Sequence, residues 1–224
     1  IEMAGMAGVT VATFGDLMRV PGSRSSLAGK RAEGADVRMV YSAFDALQIA
    51  RKAPDRRVVF PGIGFETTAP TVAATLQAAK QEGVDNFLVM SVHKRVPPAL
   101  SALVVRPEVR VDGFILPGHV SVIIGTEGYR EVLDGCRIPG VVAGFEPADI
   151  LRAILILVDA VESNTPILEN AYGRAVAPEG NPKARAVMGE VFETTDARWR
   201  GLGVIPGSGM GLRPEYRPWD AMTN

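Results

Sequence analysis

Two acidic side chains stand in the same short setting. Glu66 lies in Gly64-Phe65-Glu66-Thr67-Thr68, after the apolar run Val58-Val59-Phe60, and Glu146 lies in Gly144-Phe145-Glu146-Pro147, after Val141-Val142-Ala143. A carboxylate where a strand hands over to a helix can accept a proton or anchor a polar ligand; it can equally tie off backbone N–H groups of its own turn. Both uses stay open for the pair. Thr67 and Thr68 add hydroxyls beside Glu66. Asp16 and Arg19 follow an apolar β-branched run, three positions apart, as a supporting pair for chemistry at the same edge or as a structural ion pair. His93 and His119 each come just after an apolar run, His119 inside Pro117-Gly118-His119-Val120. An imidazole there can move a proton near neutral pH or serve only as a satisfied structural group. These two histidines and the single cysteine, Cys136, are far apart in sequence and give no local zinc or iron–sulfur ligand set. The glycine-rich run Gly207-Ser208-Gly209-Met210-Gly211 looks like a phosphate cradle, but Pro214 and Pro218 prevent a regular helix from following it. A flexible connector is expected instead. No Walker lysine pattern, nucleophile elbow or zinc-protease motif occurs.

Positioning these residues requires strands that end where they begin. Val9 to Phe14, Val37 to Tyr41 and Val58 to Phe60 are short, apolar and β-branched, as strands buried on both faces of a parallel sheet are. Helical patterns alternate with them over Ser26 to Glu33, from an Asp45 cap to Ala53, and from Thr68 and Pro70 to a stop at Gly83. The order then repeats. Phe87 to Val92, Val111 to Leu116 and Val141-Val142 read as strands, and Arg95-Val96-Pro97 echoes Arg19-Val20-Pro21 ahead of the second Gly-Phe-Glu. A helix from Pro147 to about Val161 carries Ile150, Leu151, Ile154, Leu155 and Val158 on a wide apolar face, which is expected to be buried. The fold class that follows is α/β: two similar lobes, each a mainly parallel sheet flanked by helices and related by an internal repeat. The first lobe spans residues 1–84 and the second 85–175. Residues 176–224 form one more helix, from Asn181 to about Phe192, and a Gly- and Pro-rich connecting segment.

Composition narrows the function classes. Twenty-four basic residues nearly cancel 25 acidic ones, for a net charge of −1, so no global field marks a binder of nucleic acid or of membrane surfaces. No apolar run reaches the ~18 to 20 residues that a membrane span needs, and no signal peptide is recognisable, so the chain reads as cytoplasmic. Ile1 in place of a methionine reads as the start of a fragment.

Several long motifs stand together: Thr13-Phe14-Gly15-Asp16-Leu17-Met18-Arg19-Val20-Pro21-Gly22-Ser23, Gly64-Phe65-Glu66-Thr67-Thr68, Pro117-Gly118-His119-Val120, Gly144-Phe145-Glu146-Pro147-Ala148-Asp149-Ile150-Leu151 and Trp199-Arg200-Gly201-Leu202-Gly203. With Glu169-Asn170-Ala171-Tyr172 and Gly180-Asn181, the set resembles the HypD family of nickel-iron hydrogenase maturation factors over essentially the whole chain. The resemblance implies two similar α/β lobes and a third, cysteine-rich lobe carrying a 4Fe-4S cluster. It further implies a scaffold, formed with HypC, on which iron acquires cyanide and carbon monoxide ligands, the cyanide being delivered by HypE and HypF. The family's iron-handling cysteines lie in motifs upstream of the matched region and its cluster cysteines lie downstream. Cys136 matches none of them, so the chain resembles the middle of the family and should not assemble the iron centre alone; as an isolated chain it is not expected to be an enzyme. What carries over is a supporting role for Glu66, His119, Asp16 and Arg19, and a partner or ligand cleft formed by Thr67, Thr68, His93 and Glu146. The alternatives are a small-molecule enzyme using an interlobe cleft for acid–base chemistry and a truncated relative that only binds a partner. Without upstream strands the first lobe is expected to be the less stable of the two.

Overall fold

A computed structural model of the chain describes residues 1–223. Strands β1 (Val9–Thr13), β2 (Val37–Met39), β3 (Arg57–Gly62) and β4 (Phe87–Ser91) form one parallel sheet in the order β2-β1-β3-β4. Every residue of β1 is buried, as its apolar, β-branched composition demands. The connecting helices are α1 (Leu27–Ala32), α2 (Ala43–Lys52) and α3 (Ala69–Glu82). Ser42, rather than Asp45, caps α2: its hydroxyl accepts from the Asp45 N–H, and the Asp45 carboxylate accepts in return from the Ser42 N–H. Gly83 closes α3 in the left-handed region at φ 68°, which a residue without Cβ adopts without strain. The chain runs from β1 outward to β2, then returns past β1 to place β3 on its other side. Strand order therefore reverses between β1 and β3, the position at which open α/β sheets leave a crevice at their carboxyl ends.

β4 corrects the expected boundary at 84/85. Phe87 to Ser91, read above as the opening strand of the second lobe, pairs parallel with β3 from Val58↔Phe87 to Gly62↔Ser91. Its side chains explain the choice: Phe87 and Val89 join the core that includes Phe60 and Leu76, and Leu88 joins the core on the opposite face with Val11 and Val59. The second sheet starts only at β5 (Phe114–Pro117) and continues through β6 (Gly140–Ala143) to β7 (Leu168–Asn170), all parallel and in chain order. It has three strands with no reversal, so the sequence echoes do not correspond to two sheets of the same strand number and order. Helix α4 (Val96–Val104) leads into this unit, α5 (Gly118–Ile124) and α6 (Arg130–Cys136) pack around Leu116, Val120, Tyr129 and Leu133, and α7 (Pro147–Glu162) covers the other face.

The apolar face of α7 is not buried as expected. Ala153 and Ala160 meet the sheet, whereas Leu151 and Leu155 remain 67% and 62% exposed, with Ile150, Ile154, Val158 and Val161 also exposed. Ile156 and Leu157 pack beside these alanines, and the other branched residues of the helix point away from the sheet. The last segment also differs from expectation. After α8 (Pro182–Val191), capped by the Asn181 side chain, residues expected to be a connector form an antiparallel hairpin of β8 (Phe192–Trp199) and β9 (Gly203–Leu212). The glycines explain it. Gly209 and Gly211 lie where the Thr195 side chain crosses, within 2.8 Å of the place a Cβ would occupy, while the alternating Ser208, Met210 and Leu212 are buried. Val191, Phe192, Met210, Leu212 and Tyr216 then complete the first sheet's core.

Candidate functional site

The residues singled out in sequence lie after strand ends in both sheets, in three different states. Asp16 and Arg19 fall in a 3-10 turn, Gly15–Arg19, directly after β1, and both are exposed. Asp16 accepts from the Leu17 N–H at 3.0 Å, and no ion pair joins it to Arg19 among the described residues. The structural ion pair that their spacing suggested does not form. Thr68 donates to the Phe65 carbonyl at 3.2 Å inside the turn before α3, and Thr67 beside it is half-buried.

Glu66 is buried, at 2% exposure. Its Oε1 accepts from the N–H of Val96, the first residue of α4, at 3.0 Å, and its Oε2 has no hydrogen-bond partner. Burial raises its carboxyl above the ordinary value of 4.5, opposed by hydrogen bonds from its own and the Val96 backbone and by the charge of Arg95. Glu66 therefore ties the β3–α3 turn to the start of α4, a joint completed by Lys94 N–H to Gly64 O at 2.9 Å and Arg95 N–H to Ser208 O at 2.8 Å.

His93 is equally enclosed. It is 1% exposed, stands edge-on to Phe192 at 5.6 Å, and sits over Gly62, where a Cβ would come within 2.7 Å of its Cε1. Ser91 Oγ donates to the Met210 carbonyl at 2.6 Å and lies 3.2 Å from His93 Nδ1. The hydroxyl's one proton is thus committed, so Nδ1 carries a hydrogen and Nε2 keeps a bare lone pair, for which no donor is present. Burial lowers this imidazole to about 4, so it is neutral at physiological pH.

The second sheet presents an open edge. His119 is exposed and lies against Phe145, ring centroids 4.2 Å apart, each at the carboxyl end of its strand. Glu146 is also exposed, 3.6 Å from Arg174, which forms two 2.6 Å hydrogen bonds with the buried Asp149 and lies over the Tyr172 ring. The hydrogen bonds from Arg174 hold the Asp149 carboxyl below its usual range. Gly144 makes room for this arrangement, since a Cβ there would lie 2.0 Å from Asp149 Oδ2. The two Gly-Phe-Glu runs therefore end in opposite states. One carboxylate is a buried tie and the other an exposed member of an ion-pair network, and no hydrogen bond or ion pair links them among the described residues.

Sequence reasoning missed Asp149 and Arg174, Ser91 and Trp199. Asp149 in the first turn of α7 was the only local signal for the first pair. Trp199 Nε1 donates to Ser208 Oγ at 2.8 Å, and its ring lies 6.2 Å from that of Phe65. Arg198 and Arg200 flank it around an open pocket of about 570 Å³ at the hairpin tip.

No group of three or more His, Cys, Asp and Glu side chains converges among the described residues, and the Cys136 thiol, at the end of α6, contacts the Leu133 carbonyl at 3.6 Å. Nor is any helix among them long and apolar enough to cross a membrane.

Comparison with known proteins gives the family. Residues 1–224 match the hydrogenase formation hypA family, HypD. The hydrogenase maturation factor HypD of Rhodobacter capsulatus is 47% identical over 222 residues, covering 99% of this chain and 59% of that protein. HypD of Rhizobium leguminosarum bv. viciae is 48% identical over 229 residues, 99% of this chain and 60% of its own length. The Escherichia coli K12 factor is 46% identical over 222 residues, again 99% and 60%. The chain thus spans about three fifths of the length of these relatives.

Proposed function

This chain belongs to the HypD family, and we propose that it forms the central part of a cytoplasmic scaffold for nickel-iron hydrogenase maturation, acting with partners of the HypC and HypE type. Iron bearing cyanide and carbon monoxide is the cargo of such a scaffold. Its thiolate ligands, and those of a 4Fe-4S cluster, have to come from outside the residues described above, because soft metal sites need sulfur donors that converge. The observation that carries this reading is the match over residues 1–224. The polar carboxyl edges of the two sheets and the placement of Cys136 at the far end of α6 agree with it.

In this reading the residues divide their work by exposure. Exposed His119, steadied by Phe145, offers an imidazole to a polar ligand of the cargo, and Glu146 with Arg174 sets the charge beside it. Thr67, Thr68, Asp16 and Arg19 line the corresponding edge of the first sheet. Buried Glu66 and His93 hold the frame between the sheets. The test uses a full-length relative: replacing the residue equivalent to His119 with alanine abolishes hydrogenase maturation while the protein still accumulates. Infrared spectra of that relative with its small partner then lose the iron-bound cyanide and carbon monoxide bands. Unchanged hydrogenase activity and unchanged bands would overturn the assignment.

A further inference from the structure

The stretch Glu169-Asn170-Ala171-Tyr172 ends β7 and turns the chain back over the carboxyl ends of the neighbouring strands. Ala171 N–H donates to the Val142 carbonyl at 2.9 Å, one step beyond the pairing of β7 with β6. The Asn170 side chain then fixes the turn: its Oδ1 accepts from Tyr172 N–H at 3.0 Å, and its Nδ2 donates to the Val176 carbonyl at 2.8 Å. The Tyr172 carbonyl accepts from the N–H groups of Ala175 and Val176 at 3.0 and 3.1 Å, so the backbone of Tyr172 is held on both sides.

This turn lays the Tyr172 ring across two strand ends. A Cβ on Gly118, directly after β5, would lie 2.9 Å from Tyr172 Cδ1 and 2.4 Å from the Ala143 carbonyl oxygen; a Cβ on Gly144, directly after β6, would lie 2.7 Å from Tyr172 Cε2. Both positions need glycine if the ring is to lie where it does. One edge of the ring therefore rests on Gly118 and the other on Gly144. The residues that follow these glycines are His119 and Phe145, whose rings meet at 4.2 Å with an interplanar angle of 37°. The Arg174 guanidinium lies over the Tyr172 ring, 4.6 Å from its centroid, and Asp149 in the first turn of α7 fixes it with two 2.6 Å hydrogen bonds. Asp149 is buried, and a two-pronged bond to a buried carboxylate holds the guanidinium in one orientation.

We infer that Tyr172 is the positioning residue of this edge: its ring, clamped by the Asp149–Arg174 pair, sets the spacing between the ends of β5 and β6 and so the geometry in which His119 meets Phe145. The inference rests on the reading of His119 as the group that meets a polar ligand. Tyr172 acts through the backbone of Gly118 and Gly144, and the contacts that do so come from ring carbons, so the ring rather than the phenol hydroxyl carries the role. A misplacement of about 1 Å at a ligand-binding or reacting group can lower a rate ~100-fold, which gives the ring its leverage.

The test uses a full-length relative with ring-labelled histidine, in which the NMR signal equivalent to His119 is identified by its loss in His119→Ala. That signal is expected to carry a ring-current shift that Phe145→Leu removes. Tyr172→Leu is expected to abolish the shift and to lower hydrogenase maturation roughly 10- to 100-fold, and Tyr172→Phe, which keeps the ring, to recover both. Arg174→Lys, which keeps the charge but neither the planar stack nor the two-pronged bond, is expected to diminish the shift. An unchanged shift in folded Tyr172→Leu or in Arg174→Lys overturns the inference, as does loss of the shift in Tyr172→Phe. A Tyr172→Phe protein that keeps the shift but loses maturation assigns the work to the hydroxyl and overturns it too. If Tyr172→Leu does not fold, Arg174→Lys and Tyr172→Phe still decide. Maturation that survives His119→Ala defeats the reading of the site and leaves the shifts as the test of positioning; maturation lost in His119→Ala, with the shift intact in Tyr172→Leu, defeats the positioning alone.

Discussion

The two sheets of this protein contrast in how completely their helices are covered. Four strands of the first are sandwiched between two cores, and the chain returns from its far end to seal one of them with Val191, Phe192, Met210, Leu212 and Tyr216. Three strands of the second are backed by α7, whose Leu151 and Leu155 face outward. From sequence the first unit was expected to be the weaker, on the ground that strands upstream of it were lacking. Residues more than 100 positions downstream cover one of its cores, a contribution that local reading cannot weigh, and burial of apolar area predicts the opposite order of stability.

Substitution of core residues should give the largest differences. Phe60→Ala, at the centre of the first core, is expected to cost roughly 3–5 kcal/mol in urea unfolding, with amide exchange in β1 and β3 accelerated more than in β6. Equal exchange protection in the two sheets of the unsubstituted protein would break the contrast.

Next come the buried titrating groups, both in the first unit. His93, lowered from 6.5 to about 4 by burial, favours folding fully above pH 6.5 and loses that contribution as pH falls toward 4. The contribution is on the order of 3 kcal/mol. Glu66 acts in the opposite sense. Its raised carboxyl contributes fully below its ordinary value of 4.5 and loses the contribution as pH rises through the folded value. In the native protein the trends offset one another. Glu66→Gln should therefore lose stability more steeply than wild type between pH 6.5 and 4, and His93→Asn should lose it as pH rises. Identical pH profiles for the two variants would contradict the assignment.

A smaller effect is expected at the hairpin. Trp199→Phe removes the indole donor from Ser208 and should cost about 1 kcal/mol, seen as faster exchange in β8 and β9 with β5 to β7 unchanged. The smallest belongs to α7. Leu151→Ala should change stability by less than ~0.5 kcal/mol, because the side chain is already 67% exposed. A cost of several kcal/mol there would mean that the face is covered in solution, and the contrast between the sheets would narrow.

Most of the strands and helices could be read from the sequence, because Val9 to Thr13, Val58 to Phe60 and Val141-Val142 are too apolar to be anything but buried and Gly83 can only end a helix. The strand-end positions of Glu66, His93, His119 and Glu146 followed from the same patterns. Whether each side chain was buried or open did not. Glu66 and Glu146 share their neighbours in sequence and differ in everything around them: Val96 and the start of α4 close over one, and Arg174 reaches the other from solvent. The glycine run 207–211 misled for the same reason, since its strand character depends on Thr195 of the partner strand.

By itself, then, the sequence determined the α/β class, the family and the places where strands give way to helices, all of which rest on local apolar periodicity and on motifs of contiguous residues. Only the tertiary structure decided that β4 belongs to the first sheet, that α7 turns Leu151 and Leu155 outward, and that one Gly-Phe-Glu turn became a buried joint while the other stayed open. Those outcomes depend on contacts between distant segments, and desolvation, which sets the chemistry of a carboxylate, is a property of what packs against it.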